Sequence, residues 1–494
     1  SSMYDEQQWI LKRAQLTPNK EALIEIETKR TWTYEQLGKE INKWQRILCA
    51  HRIQVGDRVC VLSENNIDTF AILFACGVTG AIFVPINWRL SEQEIQYIIG
   101  DCQPTLCIYE DSFETVVNSL TIAHKWSLTN HLDEYKGHIY YNSSWKSSTP
   151  WLIIYTGGTT GHPKGAVLSF DSVNWNAINT IIGWDLCNED CTINYMPLFH
   201  TGGINALSIP ILMAGGTVVI GKKFDAERAI RALNEYRSTI SLFVPTMYQE
   251  IVQTSYFKNS DFPTVKVFLS GGAPCPKTIY EHFHKRGLLF KEGYGLTEAG
   301  PNNFYIDPLE AMKKRGSVGK NMQFNQIRIV KEDGSLCSIH EVGELQLKGK
   351  HLFKEYWENE SETKAAFSEK WFKTGDLAKM DEQRDVFIVG RKKEIIISGG
   401  ENIYPQEIEQ CIIKHLNVKE VAVIGTDDPY WGEVVTAFIV CHEEIDEFEE
   451  EIRIFCVQQL AKYKIPKKIF ILHELPKTTV GKIDKKKLKQ NVSS

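Results

Sequence analysis

What the 494-residue chain lacks narrows the field before any motif is read. Positive charge is not in excess: 56 Lys and Arg against 62 Asp and Glu leave a net charge of -6, which argues against general nucleic-acid binding. The twelve cysteines are scattered singly. The closest pairs, Cys102/Cys107 and Cys187/Cys191, have no matching second pair or histidine cluster to complete a zinc site, so they read as core thiols in a reducing compartment, the cytoplasm. No targeting segment is visible, because Ser1-Ser2-Met3 reads as an expression remnant and the residues after it are too polar for a signal peptide. Two stretches without Asp, Glu, Lys or Arg, Thr69 to Trp88 and Asn194 to Gly221, are long enough to span a membrane. Gly77, Gly80 and Pro85 break the first, and Pro197, Gly202, Gly203, Pro210, Gly215 and Gly216 the second, so both are predicted to be buried helix-turn-strand units. Repeats and low-complexity tracts are absent. No Gly-Lys pair is followed by Ser or Thr, which excludes a Walker A loop.

What is present is a soluble globular composition, 43% apolar and 24% charged, at a length that suggests about three domains or subdomains. Thr33-Tyr-Glu-Gln36 and Ser91-Glu-Gln-Glu94 fit capping boxes and place helix starts before Leu37 and Ile95. Apolar runs at Val59–Leu62, Ala81–Ile86, Thr105–Tyr109, Thr217–Ile220, Ile240–Val244 and Val265–Ser270 read as buried strands, with helices such as Ala226–Tyr236 between them. The fold class is α/β with largely parallel sheets. From about Gly343 the strands become polar-alternating, predicting a β-rich subdomain. Arg391 opens a basic, glycine-containing link to a last domain of about 100 residues.

The chemistry concentrates in Tyr155-Thr-Gly-Gly-Thr-Thr-Gly-His-Pro-Lys-Gly-Ala166, directly after the apolar run Trp151–Ile154. Its glycines let backbone N–H groups approach an anion, its threonines add donors, and Lys164 adds a point charge; a surface hairpin is the bland alternative. Further along come Pro197-Leu-Phe-His-Thr-Gly-Gly203, Gly271-Gly-Ala-Pro274, Gly293-Tyr-Gly-Leu-Thr-Glu298, Thr374-Gly-Asp376, Gly390-Arg-Lys-Lys-Glu394, Ser398-Gly-Gly-Glu-Asn402 and Pro476-Lys-Thr-Thr-Val-Gly-Lys482. Each alone has an ordinary explanation: a tight turn for Gly271–Pro274, a helix's first turn for Glu298, a satisfied core histidine for His200, a solvated arginine for Arg391. In this order, over nearly the whole chain, they resemble the adenylate-forming superfamily in its acyl-CoA synthetase branch.

The resemblance implies a large domain over residues 1–392 and a small, mobile α+β domain over 393–494, joined by a hinge at Lys393. It implies ATP, Mg²⁺ and coenzyme A as co-substrates and cofactor, and a carboxylic acid as substrate. By resemblance, Thr156, Gly157, Gly158, Thr159, Thr160, Gly161 and Lys164 hold the β- and γ-phosphates. Glu298 ligates Mg²⁺ together with Thr160, and Thr297 donates to the α-phosphate. Gly272, Ala273, Pro274 and Gly295 line adenine and Tyr294 stacks on it. Asp376 accepts from the ribose hydroxyls, and Arg391 adds a contact to ribose or phosphate. His200 gates the acyl site, Lys482 serves the adenylation step, and rotation at Lys393 brings Gly399 and Gly400 toward the thiol. Lys485, Lys486, Lys487 and Lys489 read as a mostly solvated basic helix. Gly157 stands where many members carry Ser, and Glu394 where Asp is frequent.

The expected activity is an ATP-dependent ligase that makes acyl-AMP and then an acyl-CoA thioester. Aromatic-acid or o-succinylbenzoate ligation, and loading of a carrier protein, are the alternatives. The segments His200–Ile204, Val244–Met247 and Gly293–Gly300, expected to line the acyl pocket, contain no Lys or Arg, which favours an uncharged tail, hence a medium- or long-chain fatty acid or an aromatic acid such as a benzoate. No integral membrane segment and no nucleic-acid partner are expected, and a homodimer is compatible with the resemblance.

Overall fold

Helix starts follow the capping signals in the chain. The computed structural model describes residues 8–143, 145–157 and 162–493. The N–H groups of Gln36 and Glu94 donate to the Thr33 and Ser91 hydroxyls at 3.2 Å, and their side chains accept from the cap N–H groups at 2.8 and 3.0 Å. These reciprocal bonds open the helices Tyr34–Ala50 and Glu92–Cys102. The charge-free stretch from Thr69 folds as a fully buried helix, Asp68–Thr79, which stops at Gly80 in the left-handed region (φ 92°) and turns into the strand Ile82–Pro85. Among the described residues no helix is long and apolar enough to cross a membrane.

The apolar runs become strands buried on both faces, as parallel sheets require. A seven-stranded sheet has the order Glu355–Tyr356, Lys164–Ser169, Pro150–Thr156, Ile82–Pro85, Arg58–Leu62, Leu106–Tyr109, His124–Ser127, parallel from Pro150–Thr156 onward. A second layer holds the strands Thr31–Thr33, Glu21–Glu25, Thr217–Ile220 and Cys191–Asn194, and beside them a three-stranded parallel sheet, Ile240–Phe243, Val267–Ser270 and Phe290–Glu292. Ser270 and Glu292 are register partners, so two loops leave that sheet side by side at its carboxyl end. Ligand sites of open α/β sheets collect at such ends.

The antiparallel, β-rich part begins earlier than the polar alternation at Gly343 predicts. Its seven-stranded sheet already includes Phe304–Tyr305, Ser317–Asn321 and Asn325–Val330, ahead of Gly343–Gly349, Trp371–Met380 and Val386–Arg391. Phe304–Tyr305 is two residues long and Ser317–Asn321 contains a glycine at φ 86°, so neither carries a readable alternation.

Beyond Arg391 a separate five-stranded sheet carries its own core, with Ile396, Ile408, Val423, Ile439 and Ile452 buried. The basic C-terminal helix Lys485–Ser493 departs from the solvated reading at its first residue. Lys485 is inserted between Glu409 at 3.0 Å and Glu394 at 3.6 Å. Burial alone would lower its pKa, but the two carboxylates outweigh that and raise it. It ties the helix to the turn Lys392–Glu394.

Removing one capping partner tests the local reading. Thr33→Ala should lower stability by about 1 kcal/mol in urea unfolding while leaving activity unchanged; an unaltered midpoint would remove the capping box from the account of that helix.

Candidate active site

The site is built where strand ends from the large domain meet a turn from the small one. Strand Trp371–Met380 carries Asp376, whose cross-strand partner is Arg391 at the end of Val386–Arg391. The approach to Asp376 is pinned: the Gly375 N–H donates to Glu344 at 3.0 Å, and the Asp376 N–H donates to the Thr374 hydroxyl at 3.0 Å. The Tyr294 hydroxyl donates a short hydrogen bond to the Asp376 carboxylate. Burial raises the pKa of Asp376, while the bond from Tyr294 and the charges of Arg391 and Lys482 pull it back down. The carboxylate is thus half-buried, poised among donors, and fitted to accept from hydroxyl groups.

Tyr294 belongs to the loop that leaves strand Phe290–Glu292. A Cβ on the next residue, Gly295, would lie 2.2 Å from backbone atoms of Pro301, so only glycine fits that close approach. The loop ends in the short turn Thr297–Ala299, which sets Thr297 in the interior and Glu298 at the cleft wall. Glu298 accepts from the Tyr356 hydroxyl at 2.7 Å, and burial raises its pKa against the opposing charge of Lys164. Lys164 stands 4.5 Å above the Tyr356 ring and pairs with Glu362 at 3.2 Å. Tyr356 and Glu362 escape sequence reading. Tyr356 reaches the site because Glu355–Tyr356 pairs antiparallel with Lys164–Ser169, a long-range register that no local pattern announces.

The phosphate-loop residues divide. Thr156 ends its strand with its hydroxyl donating to the Lys164 carbonyl at 3.3 Å, and at Gly157, which follows, a Cβ would meet no atom of the described residues within 4 Å. Gly158, Thr159, Thr160 and Gly161 lie outside the described residues. Gly165 has a packing role: a Cβ there would sit 2.8 Å from Ile153. Gly272, Ala273 and Pro274 form an exposed ledge after strand Val267–Ser270, with Gly272 at φ 87°.

His200 sits in a tight turn closed by Gly203, where a Cβ would be 2.1 Å from the Pro197 carbonyl oxygen. The Gly202 N–H donates to His200 Nδ1 at 3.0 Å, which leaves Nε2 to carry the proton of the neutral ring. Burial, then the charge of Lys482, lowers its pKa to about 4. A neutral donor suits it to hold a carboxylate rather than to shuttle a proton.

Lys482 comes from the small domain on a turn held by Thr478, whose N–H donates to the Lys482 carbonyl at 2.7 Å and whose hydroxyl accepts from the Lys482 N–H at 3.2 Å. Burial and then Arg391 lower the pKa of its ammonium, and Asp376 opposes them. Lys482, Asp376, Arg391 and His200 therefore share one electrostatic neighbourhood. Asn87 and Arg89 hold the adjacent Thr479 at 3.1 and 3.2 Å. Gly399 and Gly400 are not brought into this group. They turn the hairpin between Ile396–Ser398 and Glu401–Ile403 at φ 56° and 81°, with Gly399 against Trp431. Lys393 lies in the turn Lys392–Glu394 between the two domains' sheets.

Among the described residues no three His, Cys, Asp or Glu gather as a metal site, so a divalent cation would draw on Glu298 together with substrate oxygens. Glu298 is a carboxylate at the cleft wall whose ionised form burial disfavours, and a hard cation beside it relieves that cost.

Comparison with known proteins follows the same outline. The AMP-binding enzyme family model matches residues 10–357, and the AMP-binding enzyme C-terminal domain model matches residues 407–482. An indoleacetate–CoA ligase of Aromatoleum aromaticum is 34% identical over 500 residues, 98% of each chain. A long-chain-fatty-acid–CoA ligase of Mycobacterium tuberculosis is 32% identical over 498 residues, again 98% of each. The o-succinylbenzoate CoA synthetase of Bacillus subtilis, solved in complex with its acyl-adenylate intermediate, superimposes with a TM-score of 0.88 at 29% identity, covering 99% of this chain and 98% of that one. The same enzyme solved with ATP and magnesium ion gives a TM-score of 0.87.

The depressed pKa of His200 has a measurable sign. The unfolded ring takes its proton near pH 6.5 and the folded one only near 4, so stability falls as pH drops from about 6.5 to about 4. His200→Asn should flatten that decline by about one proton per molecule in unfolding titrations; an unchanged slope would place His200 at an ordinary pKa.

Proposed function

Since the chain belongs to the AMP-binding enzyme family of adenylate-forming enzymes and is an acyl- or aryl-CoA ligase of the AMP-forming, acid-thiol type, we propose that it activates a monocarboxylic acid with an uncharged, apolar tail. ATP, Mg²⁺ and CoA are used in the reaction. In the first step a carboxylate oxygen attacks the α-phosphorus of ATP, giving acyl-AMP and releasing pyrophosphate. In the second the CoA sulfur attacks the acyl carbon, forming the thioester and expelling AMP, with the thiol proton lost to solvent.

The observation that carries the reading is Lys482, brought from a second domain into the field of Asp376, Arg391 and His200. Charge at the α-phosphate and the incoming carboxylate has to be neutralised in the first step, and an ammonium already partly withdrawn from water does this with less reorganisation. Asp376 is assigned to the ribose hydroxyls in exchange for the Tyr294 hydroxyl, Arg391 to ribose or phosphate, and Thr156, Gly157 and Lys164 to the outer phosphates. Mg²⁺ at Glu298 supplies neutralisation of phosphate charge. His200 donates from Nε2 to the substrate carboxylate. Lys393 is assigned as the pivot that withdraws Lys482 for the second step, with residues 1–392 and 393–494 as the moving bodies, and Gly399 and Gly400 then approach the thiol.

A medium- or long-chain fatty acid is the reading taken from pocket segments without Lys or Arg. An aromatic acid is the second reading, favoured by the 34% identity to the indoleacetate–CoA ligase. A panel of fatty, arylacetic, cinnamic and succinylbenzoic acids, assayed for ATP- and CoA-dependent AMP release, tests both; turnover confined to a dicarboxylic acid would refute them.

Lys482→Ala should abolish acyl-adenylate formation and spare thioester formation from supplied acyl-adenylate. Equal loss of both half-reactions would detach Lys482 from the first step. Lys393→Pro fixes φ near -65° and removes an N–H, so each domain folds while interconversion slows. Quench-flow should then find the two half-reactions uncoupled, with one slowed far more than the other. Wild-type rates in both would move the pivot elsewhere.

A further inference from the structure

Glu292 is a buried carboxylate that none of these roles uses. It is 8% exposed at the end of strand Phe290–Glu292. Its Oε1 accepts from the Tyr280 hydroxyl at 2.6 Å and its Oε2 accepts from the Cys275 N–H at 3.0 Å. Burial pushes its pKa up to about 7, opposed by those two bonds and by the charge of Lys277. A carboxyl kept in the interior at this cost is held for what its bonds position.

What it positions is specific. Ser270 and Glu292 are register partners on adjacent parallel strands, and the Gly293 N–H donates to the Ser270 carbonyl at 2.9 Å. From this one pair of residues leave both loops assigned to adenine: Gly271–Pro274 on one side, Gly293–Glu298 with Tyr294 on the other. Cys275 is the first buried residue after the exposed ledge Gly272-Ala273-Pro274, so its N–H fixes where the ledge ends. Gly272, in the left-handed region and without a Cβ, gives the ledge no stiffness of its own.

We propose that Glu292 is a positioning residue that holds the backbone of the 272–274 ledge at a set separation from Tyr294, where a ledge carbonyl can accept from the 6-amino group of adenine but not from the 6-oxo group of hypoxanthine, and thereby sets the enzyme's selectivity for adenine. The inference rests on the nucleotide reading of the site given above. Asp376, Arg391, Thr156 and Lys164, assigned to ribose and outer phosphates, stand on other elements, while whatever Thr297 and Glu298 of the same loop contribute is common to any nucleoside triphosphate and cancels in a comparison of bases.

The test is calorimetric binding of ATP and of inosine triphosphate, with Mg²⁺, to the full chain. The two nucleotides share sugar and phosphates and differ only in the base. Glu292→Ala should weaken ATP binding about tenfold and inosine triphosphate binding by less than about twofold, collapsing the preference. Glu292→Gln should retain it, because an amide oxygen accepts from the Cys275 N–H and an amide N–H donates to the Tyr280 oxygen. Tyr280→Phe, which keeps the ring in the core and removes one bond to the carboxyl, should lower the preference in the same direction and serves if the alanine variant does not fold. Wild-type preference in Glu292→Ala, or in Tyr280→Phe, overturns the inference, as does loss of preference in Glu292→Gln. A wild-type chain that binds neither nucleotide overturns the nucleotide reading itself and this inference with it.

Discussion

The site depends on one electrostatic constraint: a half-buried carboxylate, Asp376, must stay ionised next to cations that arrive from two directions. Arg391 reaches it across a strand pair of the large domain, and Lys482 reaches it from the small one. Burial disfavours the charges of Asp376 and Lys482 singly, raising the pKa of the first and lowering that of the second. Together they are compatible because each charge offsets another. A nucleotide adds negative charge to a place where two cations already face one carboxylate. The strand pair that presents Asp376 and Arg391 is also the last regular structure before the turn at Lys392–Glu394, so Asp376, Arg391 and the proposed pivot meet within a short stretch of chain.

The parallel half of the fold is legible in the sequence because its strands are buried on both faces and read as unbroken apolar runs: Thr217–Ile220 and Ile240–Phe243 lie where those runs do. Capping boxes are legible because both partners lie within four residues. The start of the antiparallel half is not. Phe304–Tyr305 and Ser317–Asn321 gain their strand character from partners far along the chain, and a two-residue strand has no period. The same rule separates the expected site residues from the missed ones. Asp376, Tyr294, Glu298 and Lys482 stand inside short motifs whose residue types are unusual. Tyr356, Glu362, Glu344 and Glu292 are ordinary residues made relevant by register or by a long-range bond. Lys485 shows the converse error, a lysine in a basic run that reads as solvated until two glutamates from other elements enclose it.

The form of the contact between the two domains says what can move. Lys482 is not a free side chain on a loose tail: Thr478 bonds its turn internally, Asp484 N–H donates to the Pro476 carbonyl at 2.8 Å, and Leu475 and Leu488 are buried against the small domain's sheet. Lys485 joins that turn to Glu394 beside the proposed pivot. Displacing Lys482 alone would break this packing. Displacing the whole small domain breaks polar contacts instead: Gln406 to the Ile388 carbonyl at 2.9 Å, Gln410 to the Cys275 carbonyl and the Lys277 N–H at 3.1 Å each, and Gln249 to the Lys419 carbonyl at 3.1 Å. Water replaces such bonds at small net cost, whereas a severed apolar core has no substitute partner. The rigid unit in the proposed mechanism is therefore the domain, and the lysine travels with it.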